Sequence, residues 1–333
     1  MRPPPSLVIS MLQVSDQLLK GDKRALSKAI SLLERGDPQG SVVMREVHSH
    51  AGCAYTVGIT GPTGAGKSTL IARLAEDFRG KGSSVGIVAV DPSSPYSGGA
   101  LLGDRIRMEL HYLDPEVFIR SMATRGSHGG LPRIIKGVVR LLDAAGKDII
   151  LVETVGVGQT ELDIMGVADT VVVTLVPEAG DAIQTLKAGL MEIADIYVVN
   201  KADRPGADQM VSHINAFLTT GDSDGSWVTP VLATQAIDGQ GITELSKQIQ
   251  RHRDFLSSTS RLEERRRERR AQELLEVLEE ELGQKLRERI DKEPRLNKLV
   301  EQVRRGELEP YSSALELLKD VSSPLDWLLS SSR

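Results

Sequence analysis

Cysteine is almost absent from this chain. Of 333 residues only Cys53 is a cysteine. That excludes an intramolecular disulfide framework and a cysteine-cluster metal site, and it fits a reducing compartment. Aromatic residues make up 3%, so the core must be aliphatic. Charge of one sign is also scarce. Lys and Arg number 41 against 46 Asp and Glu, a net charge of −5, which gives no electrostatic reason to expect a nucleic-acid partner. No apolar run approaches the roughly 18 residues of a membrane span. Met1-Arg2-Pro3-Pro4-Pro5 lacks the apolar core of a signal peptide. A cytoplasmic protein without membrane contact is expected. The histidines at 48, 50, 111, 128, 213 and 252 are scattered. His48 and His50 near Cys53 suit a surface helix end better than a metal site.

What is present is concentrated in short motifs. Gly61-Pro62-Thr63-Gly64-Ala65-Gly66-Lys67-Ser68 reads G-x-x-x-x-G-K-S, the phosphate-binding P-loop. An apolar run precedes it at 55–60 and a helical pattern follows, with Leu70, Ile71, Leu74, Ala75 and Phe78. Strand, loop and helix together turn the pattern into a mechanism. Glycines let backbone N–H groups converge on an anion. The starting helix adds its positive dipole end. Gly61, Thr63, Gly64, Ala65, Gly66, Lys67, Ser68 and Thr69 are the expected phosphate-binding residues. Lys67 is expected on the β- and γ-phosphates, with the Ser68 hydroxyl on Mg²⁺.

Asn200-Lys201-Ala202-Asp203 follows the apolar run 196–199 and reads N-K-x-D. Guanine presents N1–H and N2–H₂ side by side, and the Asp203 carboxylate can accept both. Adenine offers a lone pair at N1, so the same carboxylate would reject it. Lys201 is expected along the base plane, and Asn200 is expected to tie this loop to the P-loop. Thr234-Gln235-Ala236 stands where GTPases use a backbone N–H to contact guanine O6, though Thr-Gln-Ala matches that pattern loosely. GTP is therefore the expected substrate, with GDP as product.

Three acidic positions end strands or loops. Asp91 follows the second expected strand. Asp104 closes a Gly-rich stretch at 97–105. Glu153 and Gly156 have the D-x-x-G spacing, with Glu for Asp. A carboxylate at the carboxyl end of a parallel strand lies in the ligand crevice; the blander alternative for each is a strand end or a helix cap.

Apolar runs fall near 55–60, 84–90, 116–120, 148–153, 170–176, 195–200 and 228–233, and several are continuous, as in strands covered on both faces. Helical patterns lie near 67–80, 130–145, 182–193, 206–219 and 241–256. The expected fold is α/β, a doubly wound, mostly parallel sheet. Residues 10–35 and 42–50 add an N-terminal helical extension. After Ser257 the chain becomes rich in helix formers, with Leu275, Leu278, Leu282 and Leu286 on one side and a further stretch from Ala314 to Leu329. The expected division is 1–52, 53–257 and 258–333, the last a dimerisation arm. The arginines at 265–270 are offset by neighbouring glutamates, so they read as a solvated face.

The blocks GPTGAGKST, VDPSSPYSGGALLGDRIRM, ETVGVGQTE, PEAGDAIQTLKAG and NKAD resemble the MeaB/ArgK (MMAA-like) family over essentially the whole chain. The resemblance implies a homodimeric P-loop GTPase of the SIMIBI class. It implies a chaperone of an adenosylcobalamin-dependent acyl-CoA mutase, most often methylmalonyl-CoA mutase, with no cobalamin bound to the chain itself. Ser68, Asp91, Asp104 and Glu153 would form the Mg²⁺ shell. Lys67, Asp104, Glu153, Gly156 and Lys187 would serve catalysis, Lys187 as a charge stabiliser within a third switch that starts at Pro177. Thr160 stands where the pattern has Ser. Two other readings compete: an ArgK-like kinase or ATPase linked to amino-acid transport, which needs ATP preference, and a nickel-insertion GTPase, which usually carries His-rich tracts or paired Cys and His. A signal-recognition-type GTPase would bring clustered methionines, and the 8 here are dispersed.

Overall fold

The computed structural model describes residues 5–91, 111, 113–123, 134–154, 163–177, 193–218 and 227–320. The β-branched runs become seven strands: β1 Tyr55–Thr60, β2 Val85–Asp91, β3 Val117–Ala123, β4 Ile149–Glu153, β5 Thr170–Leu175, β6 Ile196–Asn200 and β7 Val231–Thr234. They form one sheet in the order β3-β2-β4-β1-β5-β6-β7. Every described pairing is parallel, so the expected "mostly parallel" sheet is wholly parallel. β1 lies in the middle, with β4 on one side and β5 on the other. A parallel sheet needs covering on both faces, which is why β1, β4, β5 and β6 are buried along their whole length.

Alternation along the strands sorts the core into two layers. Tyr55, Val57 and Ile59 of β1 pack with Leu70, Ile71 and Leu74 of α4 (Lys67–Gly80) and with Leu245 and Ile249 of a helix at Ile242–Ser258. The other face gathers Ile150 and Val152 of β4 and Val171, Val173 and Leu175 of β5. Against them lie Ile135, Val138 and Leu142 of α5 (Ile134–Ala144). Gly58 belongs to this face, where a Cβ would come within 2.2 Å of Ile164.

The N-terminal extension joins the second layer. Residues 10–35 read as one helical segment, but the structure divides them into α1 Pro5–Leu19 and α2 Lys23–Glu34. Gly21 breaks the helix at φ +80°, and the Asp22 carboxylate caps the next one by accepting from the Ala25 N–H at 2.7 Å. Asp37 caps α3 (Pro38–Val47) in the same way through Gln39 N–H at 2.9 Å. Leu18, Leu26 and Ile30 are fully buried in one cluster with α5. Each such side chain contributes at most about 1.5–3 kcal/mol. The Asp143 carboxylate of α5 accepts three successive N–H groups, of Gly52, Cys53 and Ala54, and so fixes the entry to β1. His48 and His50 lie in a short 3₁₀ turn with exposed side chains.

Among the described residues, the first unit, Met1–Glu263, also carries the α-helices α6 Ala207–Leu218 and α7 Ile242–Ser258. The second unit, Glu264–Arg333, carries most of α8 (Arg261–Lys292), then α9 Pro294–Arg304 and α10 Pro310–Asp320. No residue of α8 is buried; Leu274, Leu275 and Leu278 are half exposed or nearly so. The helix expected from Ala314 starts at Pro310, because Glu309 accepts the N–H groups of Tyr311 and Ser312. Those bonds hold its carboxyl below the usual range. Among the described residues no helix is long and apolar enough to cross a membrane.

Candidate nucleotide site

The P-loop joins β1 to α4 at the carboxyl edge of the sheet. Three of its glycines have positive φ: Gly61 at +133°, Gly64 at +79° and Gly66 at +87°. Gly66 is the residue before α4, so the loop enters the helix through a left-handed step that turns backbone N–H groups inward. Lys67 is 7% exposed. Its ammonium donates to the carbonyls of Gly61 at 2.9 Å and Pro62 at 3.2 Å, which sets it across the bowl of the loop. Thr63 and Thr69 belong to the same loop and first turn, and Ala65 is fully buried.

Ser68 lies in the first turn of α4 with a buried hydroxyl that donates to Glu153 Oε1 at 2.8 Å. Glu153 ends β4, the neighbour of β1. Thr154, next in sequence, donates its N–H to Ile59 O at 3.1 Å and its hydroxyl to Thr60 Oγ1 at 2.8 Å. The two strand ends are thus laced together directly beneath the loop. Asp91 ends β2, whose Ala89 pairs with Glu153, so it lies on the same carboxyl edge. Asp104, Gly156 and Lys187 lie outside the described residues, as does the rest of the expected third switch beyond Pro177.

The second half of the site is built on β6 and β7. Asn200 ends β6 and is 2% exposed. Its amide donates to Ala65 O at 2.8 Å, in the P-loop. Its Oδ1 accepts from Thr234 Oγ1 and Ala236 N–H, both at 3.1 Å. One side chain therefore joins the phosphate loop, the end of β6 and the segment after β7. Lys201 follows at φ +57°, a left-handed step that is rare outside glycine and marks a constrained turn. That turn is closed by Arg204 N–H on Lys201 O and Ala202 N–H on Thr234 O, both 3.0 Å. Asp203 is exposed on it. In the 234–236 segment, Gln235 N–H goes to Gln240 O at 3.1 Å, so both it and Ala236 N–H already have acceptors within the protein.

Sequence reasoning did not find the Thr60–Thr154 bond or Arg73. Arg73 of α4 donates to the carbonyls of Ala236 at 3.3 Å and Ile237 at 2.7 Å. A four-residue charge period along α4 and its C-cap (Arg73, Asp77, Lys81) was the available signal. Among the described residues no group of three or more His, Cys, Asp and Glu could hold a metal ion, so the magnesium expectation rests on mixed hydroxyl and carboxylate oxygens.

Comparison with known proteins agrees with this geometry. A family model described as "Methylmalonyl Co-A mutase-associated GTPase MeaB" matches residues 26–291. A Pyrococcus abyssi protein assigned as a GTPase is 46% identical over 93% of this chain and 96% of its own length. The GTPase ArgK of Escherichia coli is 31% identical over 80% of this chain and 83% of its own. The mouse methylmalonic aciduria type A homolog is 35% identical over 68% of this chain and 59% of its own. In fold, the chain is similar to a crystal structure of a LAO/AO transport system kinase. The TM-score is 0.72 at 24% identity, over 97% of this chain and all of that one. A parallel sheet with a P-loop on its central strand, an N-K-x-D turn braced to that loop, and a family match across most of the sequence lead to one assignment: the chain belongs to the MeaB family and is a P-loop GTPase.

Proposed function

We propose that this GTPase is a chaperone of an adenosylcobalamin-dependent acyl-CoA mutase, with methylmalonyl-CoA mutase as its client. In this reading GTP hydrolysis gates cofactor delivery and protects the mutase. The family description and the relation to the mouse homolog support the client. The carrying structural observation is the reach of Asn200 from Ala65 to Thr234 and Ala236, because it makes phosphate loop and base segment one site. The reaction is GTP + H₂O → GDP + phosphate, and no covalent intermediate is needed.

The oxygen donors at the site fit Mg²⁺, which prefers hard oxygen ligands. Ser68 and Glu153, already 2.8 Å apart and buried, would hold it with Asp91 and Asp104. The ion would supply charge neutralisation on the β- and γ-phosphate oxygens. The chain's own residues do the rest. Gly64, Ala65, Gly66 and Thr69 offer backbone N–H groups and the helix dipole. Lys67 moves its ammonium from two carbonyls to the phosphate oxygens. Asp203 reads N1–H and N2–H₂ of guanine. Asp104, Gly156 and Lys187 complete the machinery, and intrinsic turnover is slow and raised by the client. The exposed leucines of α8 suit a homodimer contact.

The test is phosphate release from GTP and from ATP, with and without the purified mutase of the same organism. GTP-selective hydrolysis accelerated by the mutase is expected. GTP hydrolysis indifferent to the mutase would sink the chaperone role and leave the GTPase.

A further inference from the structure

Arg73, Asp77 and Lys81 recur every four residues along α4 and its C-cap, so they share one face of the helix. That face meets the chain from Ala236 to Ser246. Lys81 donates to Ser246 Oγ at 2.6 Å, and Thr243 Oγ1 donates to Asp77 Oδ1 at 3.2 Å. At the end nearer the P-loop stands Arg73. Its Nε donates to Ala236 O at 3.3 Å, its Nη2 to Ile237 O at 2.7 Å, and Glu76 holds Nη1 at 3.0 Å. A guanidinium suits this task, since its donors diverge in one rigid plane.

Two consecutive carbonyls facing one side chain require a turned backbone, because in a strand they alternate. Asp238 N–H closes that turn on Gln235 O at 3.1 Å. Across a trans peptide the N–H of Ile237 points opposite to the C=O of Ala236. Gripping the Ala236 carbonyl from α4 therefore aims the Ile237 N–H away from α4. The two preceding donors are committed, Ala236 N–H to Asn200 and Gln235 N–H to Gln240. Among the described residues Ile237 N–H has no protein acceptor.

We propose that Arg73 is a positioning residue for base selection: it grips the carbonyls of Ala236 and Ile237 and so presents the Ile237 N–H to O6 of guanine. Adenine carries an amino group at that ring position and would set donor against donor. This rests on the reading of Asp203 as the guanine-selecting carboxylate and adds a second, separately testable contact.

The experiment uses the full chain and four probes. GDP offers O6, N1–H and N2–H₂. 6-Thio-GDP replaces O6 with a poorly accepting sulfur. IDP keeps O6 and lacks the 2-amino group. ADP lacks the guanine pattern. Dissociation constants are measured for wild type, Arg73→Ala and Arg73→Lys. Arg73→Ala is expected to weaken GDP and IDP by about tenfold and 6-thio-GDP by no more than about twofold. Arg73→Lys should recover part of the loss, because one ammonium holds one carbonyl well. KM for GTP should rise with kcat nearly unchanged. Equal losses for GDP and 6-thio-GDP, or none for either, would overturn the role of Arg73 alone. A wild type that binds ADP as tightly as GDP would overturn the base-site reading and this proposal with it. If Arg73→Ala does not fold, the same comparison is made with Arg73→Lys.

Discussion

Three glycines of one motif carry different constraints. A Cβ on Gly61 would stand 2.0 Å from the carbonyl oxygen of Thr174, which is strand backbone. A Cβ on Gly66 would stand 2.4 Å from Asn200 Nδ2. A Cβ on Gly64 meets nothing within 4 Å, leaving only the strain of its left-handed φ, about 1–2 kcal/mol. Gly66→Ala should therefore drive Asn200 off Ala65 and weaken GDP binding by more than about tenfold, whereas Gly64→Ala should act mainly on stability. Fluorescent-GDP titration beside thermal unfolding separates the two; equal binding losses would refute the distinction. Asn200→Ala should match Gly66→Ala in binding, since both break the same bridge. The motif spacing marked which residues are glycine. It could not mark why, because the clashing partners, Thr174 and Asn200, lie far away in sequence and reach the loop only through sheet order.

Elements were legible where pattern and punctuation agree. The strand near 55–60 and the helix near 67–80 match β1 and α4, because continuous apolar runs and an i, i+3, i+4 stripe are unambiguous. The strand expected from 228 begins at Val231, since Val228 is exposed and Pro230 cannot donate to the ladder. The N-terminal stretch reads as one segment because its apolar period runs on past Gly21; the capping signal of Asp22 is the better guide. α4 also docks on the turn before β3 through Arg79 and Asp114, 2.9 Å apart. The hydrogen bond from Arg79 holds the Asp114 carboxyl below its ordinary value, against partial burial and with help from Glu116 N–H. A carboxyl lowered on folding stabilises above its unfolded pKa and loses that contribution as pH falls through the folded one. Thermal stability should thus drop as pH falls below about 4. Asp114→Asn should be less stable near neutrality and show a shallower acid loss. An unchanged acid profile in that variant would remove this pair from the account.

At the scale of the whole molecule, the two ends of the chain differ in kind. The sequence presents both as helical arms around a nucleotide domain, and composition alone does not tell which of them shares the nucleotide unit's core. Leu18, Leu26 and Ile30 of the N-terminal helices share a cluster with α5, β4 and β5, and Asp143 secures the chain where they enter β1. Removing residues 1–52 would bare Ile135, Val138 and Leu142, all now fully buried. That deletion should give insoluble or unfolded protein, an exposed apolar face being an aggregation site. The C-terminal unit begins at Glu264, and α8 contributes no buried residue. A chain ending at Glu263 should therefore fold, bind GDP and melt cooperatively, while losing the dimer proposed for the leucines of α8. Light scattering and GDP titration on the two truncations test the contrast. Replacing Leu275 and Leu278 with lysine in the full chain should reproduce the monomer with GDP affinity intact. A dimer that survives both the truncation and the lysine substitutions would move the subunit contact onto the nucleotide unit, where one subunit could influence hydrolysis in the other.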